Sequence, residues 1–563
     1  MKKTKILHEK REYSNIREAV EEMGEIYAGR YAYSYRIKPS DKEVVKKKYE
    51  ELRDDVRALA SEFISMGVSG KHIALVGKLS YHWILVYYAT LAVGGVLVPL
   101  DKEWLLADLA ETGKKADVSF VLCDGDVIEK GRAIAEAAGV ADPITLEYGE
   151  GTVDELISRG REKFASDSAP YFNAQINTDV MALLVFTSGT TGKGKGVMLS
   201  QRNILSDIAD PLQYIDFTFK TVGVLPPHHT FGSTVNILGH NCIGCEVYIS
   251  SGLRYVQKEL KEQTPGHLVL VPLYLETFYR KIVANIKDQG KEKLIARMIK
   301  ISNLLRKVGI DLRRKLFGAV LAAFGGEVRM VVSGGAPINQ DILNFFDGIG
   351  IEILNGYGIT ECAPIIAVNH SHDVIPGSVG PALDVNEIKI DSPNEDGEGE
   401  IWARGNNIML GYYKDEDATR DAITEDGYFR TGDYGKLGPR GEIYITGRKK
   451  NLIILSNGKN VYPEEIESEF ISVPGVIDII VYEGQSKRGS MYNTIVAEVY
   501  PDEEYIKKNG IEDIEAHLRK YVDEYNIRAV PYKKIGILKV RKEEFPKNTL
   551  RKIMRFKLDM TID

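Results

Sequence analysis

The chain has 563 residues, of which 44% are hydrophobic and 27% are charged, and its formal net charge is −7. This length exceeds what one hydrophobic core supports, so we expect several packing units with the composition of a globular enzyme. The acidic balance argues against a nucleic-acid-binding protein, which would carry a basic footprint. Four cysteines are too few for a disulfide framework, and Cys242 and Cys245 have no second pair to complete a metal site, so we expect buried thiols in a reducing compartment.

The N-terminal residues are charged and no apolar segment follows them, so we predict no signal peptide and a cytoplasmic location. The region from Trp83 to Leu100 approaches the length of a membrane span, but two glycines and a proline interrupt it. We predict a buried helix from Trp83 to Ala92, then a buried strand from Val96 to Leu100, and no transmembrane helix.

Short apolar runs alternate with helix-like stretches, which predicts parallel-rich sheets covered by helices. These runs are Lys71 to Gly77, Val96 to Leu100, Val118 to Cys123, Val180 to Phe186, His267 to Val271 and Val328 to Ser333. After Asn394 the composition turns to strands and turns. From about Lys449, predicted strands (Val476 to Tyr482, Thr494 to Val499, Ile535 to Val540) mix with predicted helices (Pro463 to Phe470, Ile511 to Tyr525), as in a small α+β domain.

The segment from Arg280 to Phe317 has a helical pattern with many basic residues between its apolar positions. The apolar positions are Leu294, Ile295, Met298, Ile299, Leu304 and Leu305. Two interpretations stay open: a solvated helix pair that lies on the core, or a basic amphipathic face that meets an anionic membrane.

A loop rich in glycine and hydroxyl groups follows the fourth apolar run, and it reads Thr187-Ser-Gly-Thr-Thr-Gly-Lys-Gly-Lys195. Its glycines let a phosphate chain approach the backbone, while its N–H, hydroxyl and lysine groups supply hydrogen bonds and positive charge. The spacing of Gly189, Gly194 and Lys195 nearly matches the P-loop of nucleotide hydrolases, but Gly196 stands where that motif needs Ser or Thr. Taken alone, the segment is also compatible with a flexible surface loop.

Seven further segments contain distinctive combinations of glycine, proline, aromatic, acidic and basic residues. They are Leu225 to Gly232, Ser333 to Pro337, Asn355 to Glu361, Tyr428 to Asp433, Gly447 to Ile453, Asn457 to Pro463 and Phe545 to Arg555. In this order, and nearly from end to end, the chain resembles the adenylate-forming superfamily of acyl-CoA synthetases, luciferases and peptide-synthetase adenylation domains. The resemblance implies an enzyme that joins a carboxylate to AMP from ATP, releases pyrophosphate and passes the acyl group to a thiol.

The resemblance implies an α/β fold with two domains. Residues 1–447 are expected to form a large N-terminal domain of parallel-rich sheets covered by helices, with a small β-rich subdomain. Residues 448–450 are expected to be a hinge, and residues 451–563 a small mobile α+β domain that carries the catalytic lysine.

The nucleotide site implied by the resemblance collects residues from several segments. Tyr357 is expected to stack on adenine, and Asn355 to bind its exocyclic edge. Asp433 is expected to chelate the ribose hydroxyls, since a carboxylate offers two acceptor oxygens, with Arg448 beside it. The other residues expected to bind ATP or AMP are Thr187, Ser188, Gly189, Thr190, Thr191, Gly192, Lys195, Gly335, Ala336, Pro337, Gly356, Gly358 and Thr360.

The catalytic groups implied by the resemblance are Thr360 at the α-phosphate, Glu361, and Lys552. Glu361 and Thr187 are expected to ligate Mg²⁺, which prefers oxygen ligands. Lys552 is expected to neutralise charge as the adenylate forms. Arg551 stands where the superfamily has a glycine. This difference affects the backbone conformation that the loop can adopt, but not the distance that the side chain of Lys552 can span.

The second half-reaction is assigned in the same way. Lys450 is expected to lie at the pivot between two domain orientations, and Gly458, Lys459 and Asn460 to guide the pantetheine arm of coenzyme A. His229, Phe231 and Gly334 are expected to line the acyl pocket, with His229 shaping the site rather than transferring protons. The segment that begins at Val271 is most similar to long-chain fatty acyl-CoA synthetases, which implies a fatty acid as substrate.

Two positions depart from the superfamily pattern without removing a phosphate ligand: Gly194 replaces a proline, and Gln201 replaces a histidine. Three alternative functions stay open. They are an acyl-AMP ligase that loads a carrier-protein thiol, a P-loop nucleotide hydrolase, and a nucleotide-binding scaffold without activity. The sequence defines neither the acyl chain length nor the oligomeric state.

Overall fold

Mixed and parallel β-sheets flanked by helices form most of the chain. The computed structural model describes residues 6–187, 194–455, 459–485, 491–547 and 553–562. Its strands, in chain order, are β1 Tyr31–Tyr35, β2 Val45–Lys48, β3 His72–Val76, β4 Val96–Leu100, β5 Val118–Cys123, β6 Ile144–Thr145, β7 Met181–Thr187, β8 Lys195–Ser200, β9 Lys220–Gly223, β10 Glu246–Ile249, β11 His267–Leu270, β12 Met330–Ser333, β13 Glu352–Gly358, β14 Ile365–Val368, β15 Asn386–Asp391, β16 Gly399–Gly405, β17 Gly411–Tyr412, β18 Phe429–Leu437, β19 Ile443–Arg448, β20 Ile453–Ile454, β21 Asn460–Val461, β22 Val476–Gln485, β23 Met491–Pro501 and β24 Ile535–Val540.

Helices connect and cover these strands. In chain order they are α1 Ile16–Ile26, α2 Tyr49–Ser65, α3 Tyr81–Ala92, α4 Leu106–Lys115, α5 Ile128–Ala138, α6 Val153–Ser166, α7 Ala169–Asn173, α8 Gln201–Ala209, α9 Pro211–Tyr214, α10 His240–Cys242, α11 Val256–Gln263, α12 Pro272–Asp288, α13 Glu292–Arg306, α14 Arg313–Leu316, α15 Gly318–Leu321, α16 Gln340–Ile349, α17 Glu416–Ala422, α18 Pro463–Phe470, α19 Glu503–Lys508 and α20 Ile514–Arg528. A π-helical segment, Phe231–Gly239, leads into α10.

The largest sheet has the strand order β17-β8-β7-β4-β3-β5-β6. Strands β3 to β7 are parallel to their neighbours within this set, while β8 runs antiparallel to β7. The predicted strand near Val180 is therefore confirmed, but only one of its two neighbours is parallel. Strand β4 and the buried helix α3 confirm the interpretation of the apolar region as core. Among the described residues, no helix combines the length and the apolar composition needed to span a bilayer.

A second sheet has the order β11-β12-β13-β14, with β11, β12 and β13 parallel. Ser333 is in register with Asn355, so the loop after β12 lies beside the last residues of β13, at the C-terminal ends of these parallel strands. Ligands of open α/β sheets bind at such edges. The remaining sheets of the N-terminal part have the orders β2-β1-β10-β9 and β15-β16-β18-β19.

The smaller C-terminal domain has its own hydrophobic core, which includes Ile453, Ile466, Val481, Val499 and Leu538. Strands β22, β23 and β24 form its sheet, and α18 and α20 pack against it. The mixed α/β architecture with a large and a small domain is as predicted. The boundary at residue 447 and the hinge at 448–450 stay predictions. All four cysteines are buried free thiols, as expected.

Candidate active site

The glycine loop joins two antiparallel strands. Thr187, the last residue of β7, pairs with Lys195, the first residue of β8. A P-loop leads from a strand into a helix, so this hairpin connection excludes the P-loop interpretation. The predicted phosphate-binding residues Ser188, Gly189, Thr190, Thr191 and Gly192 lie outside the described residues.

Glu361 lies at the base of this hairpin. One of its carboxylate oxygens accepts a hydrogen bond of 2.9 Å from the hydroxyl of Tyr412. The ammonium group of Lys195 lies 4.6 Å from the centre of the Tyr412 ring, a cation–π arrangement. Tyr412 reaches this position because β17 pairs with β8. The structure therefore brings Glu361 and Lys195 together through Tyr412, which the sequence did not single out.

Three predicted nucleotide residues meet at the C-terminal end of β13. The hydroxyl of Tyr357 donates a hydrogen bond of 2.8 Å to Oδ2 of Asp433. Nε of Arg448 lies 3.0 Å from Oδ1 of the same carboxylate, of which only a few per cent is exposed. Burial and the charge of Asp433 raise the pKa of Tyr357, so it stays a neutral donor. Residues from two sheets thus share one buried carboxylate.

The turn after β13 is tightly packed. A Cβ atom at Gly358 would lie 1.9 Å from the carbonyl oxygen of Pro364, so only glycine allows this approach. Thr360 begins the short 3₁₀ turn Thr360–Cys362 that also carries Glu361. Asn355 and Gly356 are the residues of β13 just before Tyr357.

The loop after β12 lies against the predicted acyl pocket. A Cβ atom at Gly334 would be 3.3 Å from the carbonyl oxygen of Gly356 and 3.6 Å from Cζ of Phe231. The predicted pocket residues Gly334 and Phe231 are therefore neighbours, and Gly334 lies next to β13, the strand that carries Asn355 and Tyr357. Gly335, Ala336 and Pro337 are exposed, as an open ligand wall requires.

His229 lies beside His228 at a ring-centre distance of 4.3 Å, and the two ring planes are tilted by 46°. Burial lowers the pKa of each imidazole to about 3, and for His229 the neighbouring His228 adds to the shift. Both rings are therefore neutral at pH 7, which agrees with a role of His229 in shaping the site. His228 also lies 3.6 Å from a carboxylate oxygen of Asp101.

The two departures from the superfamily pattern have structural explanations. A Cβ atom at Gly194 would lie 2.8 Å from the carbonyl oxygen of Thr187, so a proline here would require the hairpin to shift. The buried side chain of Gln201 accepts a hydrogen bond from the backbone of Ile16 and donates one to the carbonyl of Leu91, each 2.8 Å long. Gln201 thus holds α1 against α3. Ser200 caps α8.

The predicted pivot lies beside the nucleotide residues. Lys450 is the middle residue of the 3₁₀ turn Lys449–Asn451, which follows β19. Burial, and then the charge of Arg448, lower the pKa of Lys450, while Asp433 acts in the opposite direction. Lys459 and Asn460 follow on the small β20–β21 hairpin, and Gly458 lies outside the described residues.

The predicted catalytic Lys552 also lies outside the described residues, but both flanks of its segment are anchored. Lys547 pairs with Ile553 in an antiparallel bridge. Nζ of Lys547 lies 2.6 Å from a carboxylate oxygen of Asp478, and Phe545 is buried. Phe545, Lys547 and Ile553 therefore pack within the C-terminal domain.

Comparison with known proteins identifies the family of this chain. The family model described as AMP-binding enzyme matches residues 21–413. The chain belongs to this family of AMP-binding enzymes. It is 32% identical over 508 residues to human long-chain-fatty-acid–CoA ligase 6, covering 84% of this chain and 72% of the relative.

Two further comparisons extend the likeness of this AMP-binding enzyme. It is 28% identical over 520 residues to the chloroplastic long-chain-fatty-acid–[acyl-carrier-protein] ligase AEE15 of Arabidopsis thaliana, covering 78% of this chain and 71% of that protein. The crystal structure of ATP-bound MatB from Rhodopseudomonas palustris matches with a TM-score of 0.74 at 24% identity, over 96% of this chain and 97% of that chain. The similarity to MatB, at this level of identity, shows the fold alone.

Substitution of Asp433 by Asn tests the shared carboxylate. We expect Asp433→Asn to raise the dissociation constant for ATP roughly 10- to 100-fold, because hydrogen bonds to a charged group contribute about 1.5–3 kcal/mol. The control is Asp384→Asn, since the exposed Asp384 accepts a comparable hydrogen bond of 2.7 Å from Tyr214. Isothermal titration with ATP measures both variants, and an unchanged constant for Asp433→Asn contradicts the assignment.

The two neighbouring histidines predict how stability depends on pH. Their folded-state pKa values of about 3 lie below the ordinary value of 6.5, so the unfolded chain binds more protons between these limits. Stability is therefore fully present above pH 6.5 and is lost as the pH falls, by about 1.4 kcal/mol per pH unit for each proton.

Urea denaturation between pH 7 and pH 4.5 measures this dependence. The double variant His228→Asn, His229→Asn should lose stability less steeply on acidification than the native chain. His8→Gln, which changes an exposed histidine, should keep the native slope. Equal slopes for the native chain and the double variant would show that these rings already titrate near pH 6.5.

Proposed function

We propose that this protein is an ATP-dependent fatty acyl-CoA ligase that forms acyl-AMP and pyrophosphate and then transfers the acyl group to coenzyme A. The observation that carries the proposal is the convergence of Tyr357, Asp433 and Arg448 at the C-terminal end of β13. Phe231 and Gly334 lie beside the same strand, so a carboxylate and a nucleotide can meet there. Relatives named as ligases of long-chain fatty acids support the choice of a fatty acid.

In the first half-reaction, the chain positions two substrates and compensates charge. Tyr357 offers a ring face to adenine, while Asp433 accepts hydrogen bonds from the ribose hydroxyls. Thr360 donates to the α-phosphate, and the ammonium group of Lys552 compensates the charge that develops as the carboxylate attacks. Because His228 and His229 are neutral at pH 7 and have low pKa values, they do not donate a proton to the fatty acid. Its carboxylate therefore stays ionised and can act as the nucleophile.

Glu361 and Thr187 fit a magnesium ion that arrives with ATP. Both residues supply oxygen donors, and both are half-buried. Tyr412 occupies one lone pair of Glu361 and orients the carboxylate. Among the described residues, no group of three or more His, Cys, Asp and Glu side chains could hold a metal without further ligands. This agrees with Mg²⁺, which takes one or two protein oxygens and the phosphates, and which neutralises phosphate charge when bound.

We also propose that the C-terminal domain rotates about residues 448–450 between the two half-reactions. In the present orientation Arg280 of α12 donates a hydrogen bond of 3.2 Å to the carbonyl of Ile477, and Lys508 lies 2.9 Å from Asp288. Asn339 also donates a hydrogen bond of 2.6 Å to the carbonyl of Ser468. Polar contacts of this kind are compatible with a reversible interface. Lys459 and Asn460, together with Gly458, are then available to guide coenzyme A.

Identification of the thiol acceptor and of the reaction products tests the proposed function. Incubation with ATP, Mg²⁺, a long-chain fatty acid and coenzyme A should yield acyl-CoA, AMP and pyrophosphate. The same assay with a pantetheinylated carrier protein addresses the alternative acceptor, which the Arabidopsis relative makes relevant. Formation of ADP and phosphate would contradict the proposal. A location in the cytoplasm and peripheral contact with a membrane belong to the same proposal.

Replacement of Glu361 by Gln tests the magnesium assignment. We expect Glu361→Gln to raise the Mg²⁺ concentration needed for half-maximal pyrophosphate exchange by about tenfold or more, because a charged oxygen ligand is lost while the acceptor for Tyr412 stays. Glu387→Gln is the matched control, since Glu387 likewise accepts a hydrogen bond from a tyrosine, Tyr428. Unchanged exchange by Glu361→Gln at limiting Mg²⁺ would show that this residue is not a ligand.

Two further variants separate the half-reactions. Lys552→Ala should lose adenylate formation by about 100-fold or more and still convert supplied acyl-AMP and coenzyme A to thioester. Lys450→Pro should keep adenylate formation and slow thioester formation, because proline fixes φ at the pivot. Lys557→Ala, in the same C-terminal segment, is the control. Single-step assays with synthetic acyl-AMP decide the matter, and equal loss of both steps in Lys552→Ala would refute the alternation.

A further inference from the structure

Helix α13 has two apolar faces, and only one of them packs on the protein. Ile295, Met298 and Ile299 turn inward and contact the core between α12 and α16. Leu294, Ile301, Leu304 and Val308 turn outward and are 53%, 52%, 66% and 72% exposed. Their spacing of seven, three and four residues places them on one side of the helix and its C-terminal extension. We call these four residues the α13 ridge.

Basic side chains flank the α13 ridge. Lys293, Arg297, Lys300 and Lys307 are exposed, and none of them forms an ion pair with an acidic residue in the described part of the chain. Arg306, in contrast, forms a surface ion pair of 2.9 Å with Asp347. Between Lys291 and Lys307 the sequence has six basic residues and one acidic residue, although the whole chain has a net charge of −7. The positive charge is therefore concentrated around the ridge.

The combination of exposed apolar and unpaired basic groups discriminates between possible partners. A nucleic acid would leave the leucines and isoleucine in water, and a solvated surface would not gather four large apolar side chains on one line. An anionic bilayer matches both features, because apolar side chains enter the boundary of the acyl chains while lysine and arginine contact lipid phosphates. We propose that the α13 ridge docks this protein on an anionic lipid surface.

The position of the ridge relates to the proposed function. Helix α12 begins at Pro272, directly after Val271, whose side chain would lie 3.8 Å from a Cβ atom at Gly335. The α12–α13 pair thus leads from the loop after β12, which also carries Gly334 of the proposed acyl pocket, to the ridge. Docking there keeps the protein where long-chain fatty acids partition. Binding to lipid is independent of turnover, so its test does not depend on the proposed reaction.

Sedimentation with sucrose-loaded vesicles tests the proposal. The native protein should bind vesicles of phosphatidylcholine with phosphatidylglycerol at low salt and should be released at high salt, because surface charges are screened. It should bind pure phosphatidylcholine much more weakly. The triple variant Lys293→Gln, Arg297→Gln, Lys300→Gln should bind anionic vesicles about 100-fold more weakly, since each basic contact contributes about fivefold.

The matched control changes the same net charge elsewhere. Lys42→Gln, Lys71→Gln, Lys261→Gln removes three exposed lysines at separate sites and should bind as the native protein does. A second variant, Leu294→Ser, Leu304→Ser, removes apolar contacts from an exposed face and should weaken binding with an unchanged circular dichroism spectrum.

Three results would overturn the proposal. The first is an absence of binding to anionic vesicles at low salt. The second is equal binding by the native protein and the Lys293, Arg297 and Lys300 triple variant. The third is a dimer in size-exclusion chromatography that Leu294→Ser, Leu304→Ser dissociates, because the ridge would then cover a second copy of the chain.

Discussion

The buried carboxylate of Asp433 is the constraint on which the site depends. A charged group removed from water is costly unless it is paired and hydrogen-bonded, and here Arg448 and Tyr357 supply both kinds of partner. Because Tyr357 belongs to the second sheet while Asp433 and Arg448 belong to the antiparallel sheet of β15, β16, β18 and β19, the hydrogen bonds of this carboxylate connect the two sheets. A ligand that bonds Asp433 must therefore lie against Tyr357.

The turn from Asn355 to Glu361 connects the separate parts of the site. Its first half leads to Tyr357, and its second half carries Thr360 and Glu361 towards the glycine hairpin. The parallel register of β12 and β13 places Gly334 and its exposed neighbours along the same turn. We propose that these seven consecutive residues face the adenine, ribose, phosphate and acyl groups, and the close approach at Gly358 makes this path of the chain possible.

The alternating apolar runs were sufficient to predict the parallel-rich sheets and their covering helices, whereas the residues of the candidate site were predicted from the resemblance to the adenylate-forming superfamily. Periodicity reports burial along one element, so β4, β5, α3 and α18 could be found from the sequence. It does not report which distant elements meet. Tyr412 was missed because it reaches Glu361 only through the pairing of β17 with β8. For the same reason the apolar residues of α13 could not be divided into inward and outward faces, and Leu304 proved exposed while Ile295 packs on the core.

We propose that a carboxylate is activated as its adenylate at the C-terminal end of β13. The most direct measurement is the exchange of labelled pyrophosphate into ATP in the presence of a long-chain fatty acid and in the absence of coenzyme A. The account predicts exchange that requires both the fatty acid and Mg²⁺, because adenylate formation is reversible and needs no thiol. ATP cleavage without any exchange, or exchange that is indifferent to the fatty acid, would contradict it.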